Sequence, residues 1–440
     1  MPVNGGVERP TAKTFPGLAA LRAEILKNAG WSLIAAIIAR GANVLVLMIC
    51  ARILPQERLG ELAITQSTVG LFGSLAGLGL GMTITKFLAE NRVSNPDRAG
   101  RILTLSLVSA VFSALLMTLG FIALAPMVAA RSLAAPGMSW VLIASSGLLG
   151  LGVIEAVETG ALTGFEAFRS IATLSAWAGV ASLPLTAGLV YFYGLGGAIA
   201  GLTVSLALSC VLNGIALWRE CRRAGVRIQL GGCLGEWRIL VGFSLPAYLS
   251  GVIVAPTAWL ASALLVNQPG GYADMALYAA ADRFRFVLIF VPLAACRLIV
   301  PALSRYRATG DKLAYDSVLR LNIQIGLALT VIPAVICALA SPFLMSVFGA
   351  SFKHGWPILA ILAFSSIPTV LNTQFGSVLL GDNRAWTRMS VDMLLGVVCI
   401  GVAYLAVPRW GASGLALAFT SSYAVATLIL IVCLRRRRSV

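Results

Sequence analysis

"YGLGGAIAGLTVS", Tyr193 to Ser205, has a counterpart in "RWGASGLALAFTS", Arg409 to Ser421. Each carries Gly-x-x-Gly, Gly194 and Gly197 against Gly411 and Gly414, at an offset of 217 residues. Glycines so spaced between apolar runs predict a tight turn that launches a last helix. The correspondence reaches outward from there. "NAGWSLIAAIIARG" from Asn28 matches "LVGFSLPAYLSGVI" from Leu240 at an offset of 212, and "ERLGELAITQS" matches "ADMALYAAADR", which sets Gln66 against Asp282. Order and spacing hold across six helices. The expectation is two parallel six-helix halves, an arrangement that in transporters places the substrate at the interface between them.

The medium of this bundle follows from composition. Of 440 residues 59% are hydrophobic and only 11% charged, with mean hydropathy +0.90, whereas a soluble domain carries roughly 25% charged residues. Apolar stretches long enough to cross about 30 Å of hydrocarbon recur along the chain. Twelve are read, at 31–54, 62–86, 102–125, 139–163, 171–192, 195–217, 239–266, 276–303, 318–341, 356–380, 389–408 and 412–434. The fold class is therefore an all-α polytopic membrane protein, twelve transmembrane helices in two six-helix halves around a central cavity. Residues 1–30 form a polar inner segment, 31–218 the first half, 219–238 a basic linker, 239–434 the second half and 435–440 a basic tail. No apolar core precedes a cleavage site in residues 1–30, so these are not read as a secretory signal.

The net charge of +16 raises nucleic acid as a partner, and its distribution answers against that. With the amino terminus inside, 24 of the 33 Lys and Arg fall in inner segments, five (Arg52, Arg58, Arg131, Lys353, Arg409) outside, and four (Arg40, Arg283, Arg285, Arg297) within spans. This is the positive-inside asymmetry, and it predicts a multi-pass protein of the cytoplasmic membrane with both termini inside. The "LRRRRS" tail then meets anionic lipid. The eight cysteines show no zinc-ligand spacing with the single histidine, His354, and read as small apolar fillers. Loops are too short to house a catalytic domain, and the phosphate-cradling Gly-x-x-x-x-Gly-Lys-Ser/Thr of an ATP-driven pump is absent. The composition points to a channel, transporter or membrane scaffold rather than an enzyme.

"RILPQERLGELAITQSTVGLFGSLAGLGLGMTITKFLAE", Arg52 to Glu90, resembles the opening of bacterial polysaccharide and O-antigen exporters. These are the oligosaccharidyl-lipid flippase branch of the superfamily that also holds multidrug-and-toxin extruders. The matching positions are the Arg52-Ile-Leu-Pro-Gln-Glu turn, Gly60, "GLGLG" at 77–81 and Ala89-Glu90, followed in the second half by "FSLPAYLSGVI", "ALYAAADRF" and "PALSRYRATGD". The resemblance spans roughly 30–435. One departure is Glu61-Leu62, where the family carries an aromatic after the glycine. The resemblance implies a carrier that moves a polyprenyl-diphosphate-linked oligosaccharide across the inner membrane by alternating access, with no ATP of its own. Its partners would be that lipid-linked oligosaccharide, membrane lipids, and a polysaccharide polymerase and glycosyltransferases acting beside it.

Charges within spans are costly and persist for a reason. In "ALYAAADRFRFVLIF", Ala276 to Phe290, Asp282 and Arg285 are spaced i,i+3 and can pair on one face. Arg283 projects about 100° away, and Arg297, fourteen residues on, returns to within about 40° of it on an ideal helix. Arg40 is placed roughly 13 Å into the first span. Arg40, Arg283 and Arg297 are the candidates for holding a diphosphate, because arginine stays charged at depth and offers a planar donor fork. Arg285 is read as a partner of Asp282. Glu155 and Glu158 in "GVIEAVETGALTG" share a face of the fourth span. Two close carboxylates do not both ionise easily in low dielectric, which suits H⁺ or Na⁺ coupling and equally suits salt bridges to Arg40 or the eighth-span arginines. Gln66, by its alignment with Asp282, is placed at the cavity, and Asp392 at the membrane interface. No cofactor is expected beyond a coupling ion. The alternative function is a multidrug extruder exporting organic cations by proton or Na⁺ antiport. The excess of arginines over carboxylates at depth favours an anionic cargo.

Overall fold

Gly194 and Gly411 adopt nearly the same left-handed conformation, φ/ψ 57°/−130° and 51°/−129°. Each folds a long helical stretch back on itself. A Cβ at Gly197 would fall on the carbonyl oxygen of Leu189, and one at Gly414 on that of Ala406. Leu189 and Ala406 are again 217 apart. At Gly201 the added carbon would lie 2.8 Å from the Thr186 Cα. The two arms of the first hairpin therefore touch backbone to backbone, which only glycine permits. The motif pair that suggested a repeat is the same hairpin built twice.

The computed structural model describes residues 37–38, 40–229, 231–239, 252–297, 312–381 and 385–438. Among these, twelve principal helices follow in order, with short helical turns between some of them. They are α1 (residues 40–53); α2, a pair Gln56–Gly77 and Leu80–Asn91 bent by 44°; α3 (Pro96–Met127); α4 (Ser146–Gly164); α5 (168–193) and α6 (195–224), joined at Gly194; α7 (Val254–Val266); α8 (Gly271–Arg297); α9 (Lys312–Leu339); α10 (Trp356–Gly381); and α11 (385–410) and α12 (412–438), joined at Gly411. The α6 helix continues to Ala224, into the stretch read as linker, and stops at Gly225 with φ 67°. This is the left-handed stop that glycine favours. At the start of α3, Pro96 occupies the first turn and the Asn95 side chain accepts from the Arg98 N–H at 3.1 Å, a standard N-terminal cap.

The bend of α2 sits at Leu78 and Gly79, both left-handed (φ 44° and 69°). The glycine run there packs as well as bends. A Cβ on Gly160 of α4 would come within 2.9 Å of the Gly81 Cα. Beyond the bend, Thr85 donates across to the Gly160 carbonyl at 2.8 Å.

"Inner" and "outer" below denote the ends with and without the Lys and Arg excess. Toward the outer end both halves share one hydrophobic core, in which Leu59, Phe121 and Leu142 meet Leu265, Phe348 and Leu415. Toward the inner end the described residues form separate cores. Ile84, Leu103, Leu162 and Leu217 belong to the first half, and Leu379, Leu395 and Leu430 to the second. Hydrogen bonds reinforce the outer closure: Gln56 Nε2 donates to the Ala273 carbonyl (3.2 Å), Tyr272 Oη to that of Leu133 (2.9 Å) and Asn267 Nδ2 to that of Ser132 (2.8 Å). The halves are joined outside and separately cored inside.

Candidate functional site

The seam between the halves runs along α2, which packs on α7 and α8. Gly60 lies against the backbone of Tyr272 so closely that a Cβ would overlap its carbonyl. Farther in, the Trp259 indole of α7 donates to Thr68 Oγ1 of α2 at 2.9 Å. Between these levels the Arg283 Nη2 of α8 donates to the Gln66 Oε1 at 2.6 Å. Arg283 is twelve residues into α8, about 18 Å from its outer end, and so near the middle of roughly 30 Å of hydrocarbon. Among the described residues no carboxylate lies within ion-pair distance of it.

The neighbouring acid is engaged elsewhere. Asp282 Oδ1 accepts from Arg285 Nε at 2.6 Å, and both side chains are largely buried. Arg285 faces Tyr278 of its own helix and Tyr423 of α12, so its charge is spent inside the second half. One turn of helix thus presents two arginines to two different environments, because residues two apart project on opposite sides.

The Arg40 guanidinium lies over the Phe290 ring, 4.2 Å from its centroid, a cation–π contact from α1 to α8 across the seam. Phe290 is seven residues after Arg283 and hence on the same face, about 10 Å farther along. The stripe expected on α8 therefore includes Arg40, which reaches it from the other half. Arg297 is the last residue of α8, and its side chain lies outside the described residues.

Glu155 and Glu158 occupy a separate place. They lie on α4 and face α6: Glu158 Oε1 would be 3.3 Å from a Cβ at Gly214, and Cys210 stands beside both carboxylates. Glu158 is buried, and its Oε2 has no hydrogen-bond partner. Of the two arrangements the sequence left open, salt bridges to Arg40 or to the arginines of α8 are not formed among the described residues.

Two features escaped sequence reading. Asp392, expected at the interface, is buried at 3% exposure and paired with Arg388 (Nη2–Oδ1 2.7 Å, i,i+4). Arg388, counted among the inner cations, also donates to the Asn372 carbonyl at 3.1 Å, crossing to α10 over Gly376, where a Cβ would overlap its guanidinium. The spacing of the pair was legible, but its burial depends on the glycine facing it. The second feature is Asp274, whose Oδ2 accepts from the Ala412 N–H at 3.0 Å and so caps α12 just after the Gly411 turn. Glu61, the departure from the exporter pattern, pairs locally with Arg58 at 2.8 Å.

Comparison with known proteins places this geometry. The family model described as polysaccharide biosynthesis protein matches residues 25–307, and that described as lipid II flippase MurJ matches residues 257–440. The EPS I polysaccharide export inner membrane protein EpsE of Ralstonia solanacearum is 22% identical over 196 residues, a match spanning 43% of each chain. Among solved structures, an inward-facing multidrug-resistance MATE transporter of the MOP superfamily superimposes with TM-score 0.76 at 17% identity, over 93% of this chain and 98% of its own. A MOP-superfamily transporter from Pyrococcus furiosus, described for the reverse polarity of its binding pocket, gives TM-score 0.68 at 16% identity, over 94% and 96%. A Vibrio cholerae MATE transporter gives TM-score 0.70 at 15%, over 96% and 98%. These structures share the fold. Since the first family model covers more than half of the chain, the protein belongs to the polysaccharide biosynthesis protein family and is a multi-pass membrane protein with the fold of the MOP-superfamily transporters.

Proposed function

We propose that this protein flips a polyprenyl-diphosphate-linked oligosaccharide across the bacterial inner membrane by alternating access, both termini lying in the cytoplasm. The observation that carries the reading is Arg283. A guanidinium at mid-membrane depth is oriented by the neutral amide of Gln66, with no carboxylate among the described residues within ion-pair distance, on the seam that Arg40 also reaches. A permanent cation so placed suits a diphosphate that must enter low dielectric. Because one hydrogen bond holds it, its remaining donors can be shared with cargo. The separate inner cores support a state that admits cargo from the cytoplasmic side, where glycosyltransferases would supply it; a polymerase would receive it outside.

The Glu155 and Glu158 pair supports H⁺ coupling. A buried carboxylate oxygen without a donor is costly as an anion, and a proton relieves that cost. This site lies within the first half, apart from the arginines, so cargo and coupling ion occupy different places.

The test is mass spectrometry of lipid that co-purifies from the native membrane with wild type, Arg40→Ala and Arg283→Ala. A diphosphate-linked glycan on wild type, depleted in both variants, is expected. Bulk phospholipid alone on all three would overturn the reading and favour export of organic cations, measured next as efflux.

A further inference from the structure

At the outer end of the bundle a groove of about 340 Å³ lies between α1, α5 and the loop that joins α9 to α10. Leu45, Met48, Ile49 and Arg52 of α1 form one wall, with Leu183 and Val347 opposite. The α1 residues are spaced i, i+3, i+4, i+7, so a single face of the helix lines the slot over about 10 Å. Five of the six lining residues are apolar. The sixth is an arginine at the outer lip, and the groove bridges the halves, with Val347 contributed by the second.

Arg52 is exposed, and its Nε and Nη2 both donate to one acceptor, the Val347 carbonyl oxygen, at 3.1 and 3.0 Å. A carbonyl orients the guanidinium but does not neutralise it. Among the described residues no carboxylate lies within ion-pair distance, and three of the five N–H donors remain for another acceptor. A positive fork therefore stands at the mouth of an apolar slot, at the level where a membrane would pass from hydrocarbon to headgroups. The complementary ligand is an amphiphile with a phosphate at the lip and a hydrocarbon chain below it.

We infer that this groove holds the isoprenoid tail of the lipid-linked cargo near its phosphate end, once the headgroup has reached the outer side, with Arg52 on the phosphate. The inference rests on the flippase reading and adds a second cation site to it, distinct from Arg283. Two features favour the cargo over bulk phospholipid. The slot lies on the seam, which the tail must follow if the head passes between the halves. It also has the width of one narrow chain: at roughly 30 Å³ for each water-sized group, 340 Å³ takes on the order of ten carbons, the length of two isoprene units, where a phospholipid would have to leave its second acyl chain outside.

The experiment uses the full-length protein in nanodiscs with two photoreactive probes, a polyprenyl phosphate and a phosphatidylglycerol, each carrying a diazirine near the head. Labelled peptides are mapped by mass spectrometry for wild type, Ile49→Trp, Leu183→Trp and Arg52→Gln. The expected result is polyprenyl labelling within residues 45–52 that falls at least tenfold when either tryptophan fills the slot, and severalfold in Arg52→Gln, while phosphatidylglycerol labels it weakly. The tryptophans enter from opposite walls, so one well-folded variant, judged by a monodisperse elution profile, suffices. Equal labelling by phosphatidylglycerol would make the groove a bulk-lipid site and overturn the inference. Polyprenyl labelling elsewhere, with glycan still co-purifying, would overturn the groove and leave the flippase reading standing. No polyprenyl labelling anywhere, together with no co-purifying glycan, would remove both.

Discussion

Gln66 and Arg283 are 217 residues apart in sequence and 2.6 Å apart in space. The interval is the one that separates Gly194 from Gly411, and Gln56 from the carbonyl of Ala273 that it contacts. The alignment of the two halves sets Gln66 against Asp282, so Arg283 is one residue past its equivalent, and near-equivalent positions of two repeats touch only near the axis that relates them. The contact therefore marks where the halves meet, and places an arginine on that line.

A cation kept for cargo rather than for folding has a testable signature. Arg283→Met removes a mid-membrane charge that no carboxylate among the described residues meets within ion-pair distance, so thermal stability in detergent should hold or rise. Binding of a diphosphate-linked lipid should weaken by ten- to a hundredfold, the equivalent of about 1.5–3 kcal/mol for a charge-assisted hydrogen bond. Gln66→Ala should weaken it only severalfold. A marked fall in melting temperature with unchanged binding would make Arg283 structural.

Asp282 and Arg285 should behave in the opposite way. Each single substitution, Asp282→Ala or Arg285→Ala, leaves a buried charge alone and should cost about 3–5 kcal/mol, and the double variant much less than the sum. A double-mutant cycle from unfolding in mixed detergent measures the coupling. Additive losses would mean that the 2.6 Å contact contributes little.

Glu158→Gln should fold normally, since the substitution removes a buried charge and keeps the shape. Transport in proteoliposomes should lose its response to an imposed proton gradient, and Glu155→Gln should do the same in part. A full response to the gradient in both variants would exclude the α4 pair from coupling.

The paired hairpins predict matched effects. Gly197→Ala and Gly414→Ala each drive a methyl into a backbone carbonyl, and both should lower the melting temperature markedly. Gly401→Ala, in α11 with open space around it, should be neutral or stabilise by up to about 1 kcal/mol. Similar stability for all three would show that the hairpins relax.

The sequence alone determined the medium, the helices and the doubling. Hydropathy sets which segments enter a bilayer, because each buried polar group has a cost that composition reveals. Gly-x-x-Gly at a fixed interval announces the two hairpins, because nothing larger fits where the backbones touch. It also offered the pairing of Asp282 with Arg285, which helical spacing permits and the structure forms at 2.6 Å. Tertiary structure decided everything that needs a partner from elsewhere in the chain. It turned Arg283 toward the seam and Arg285 into the second half, laid Arg40 on Phe290, drew Glu155 and Glu158 against α6, and buried Asp392 beside Arg388 where that guanidinium crosses Gly376. A periodic pattern fixes the direction in which a side chain leaves its own helix. Which helix it meets is set by packing, summed over contacts far apart in sequence, and no local stretch encodes that sum.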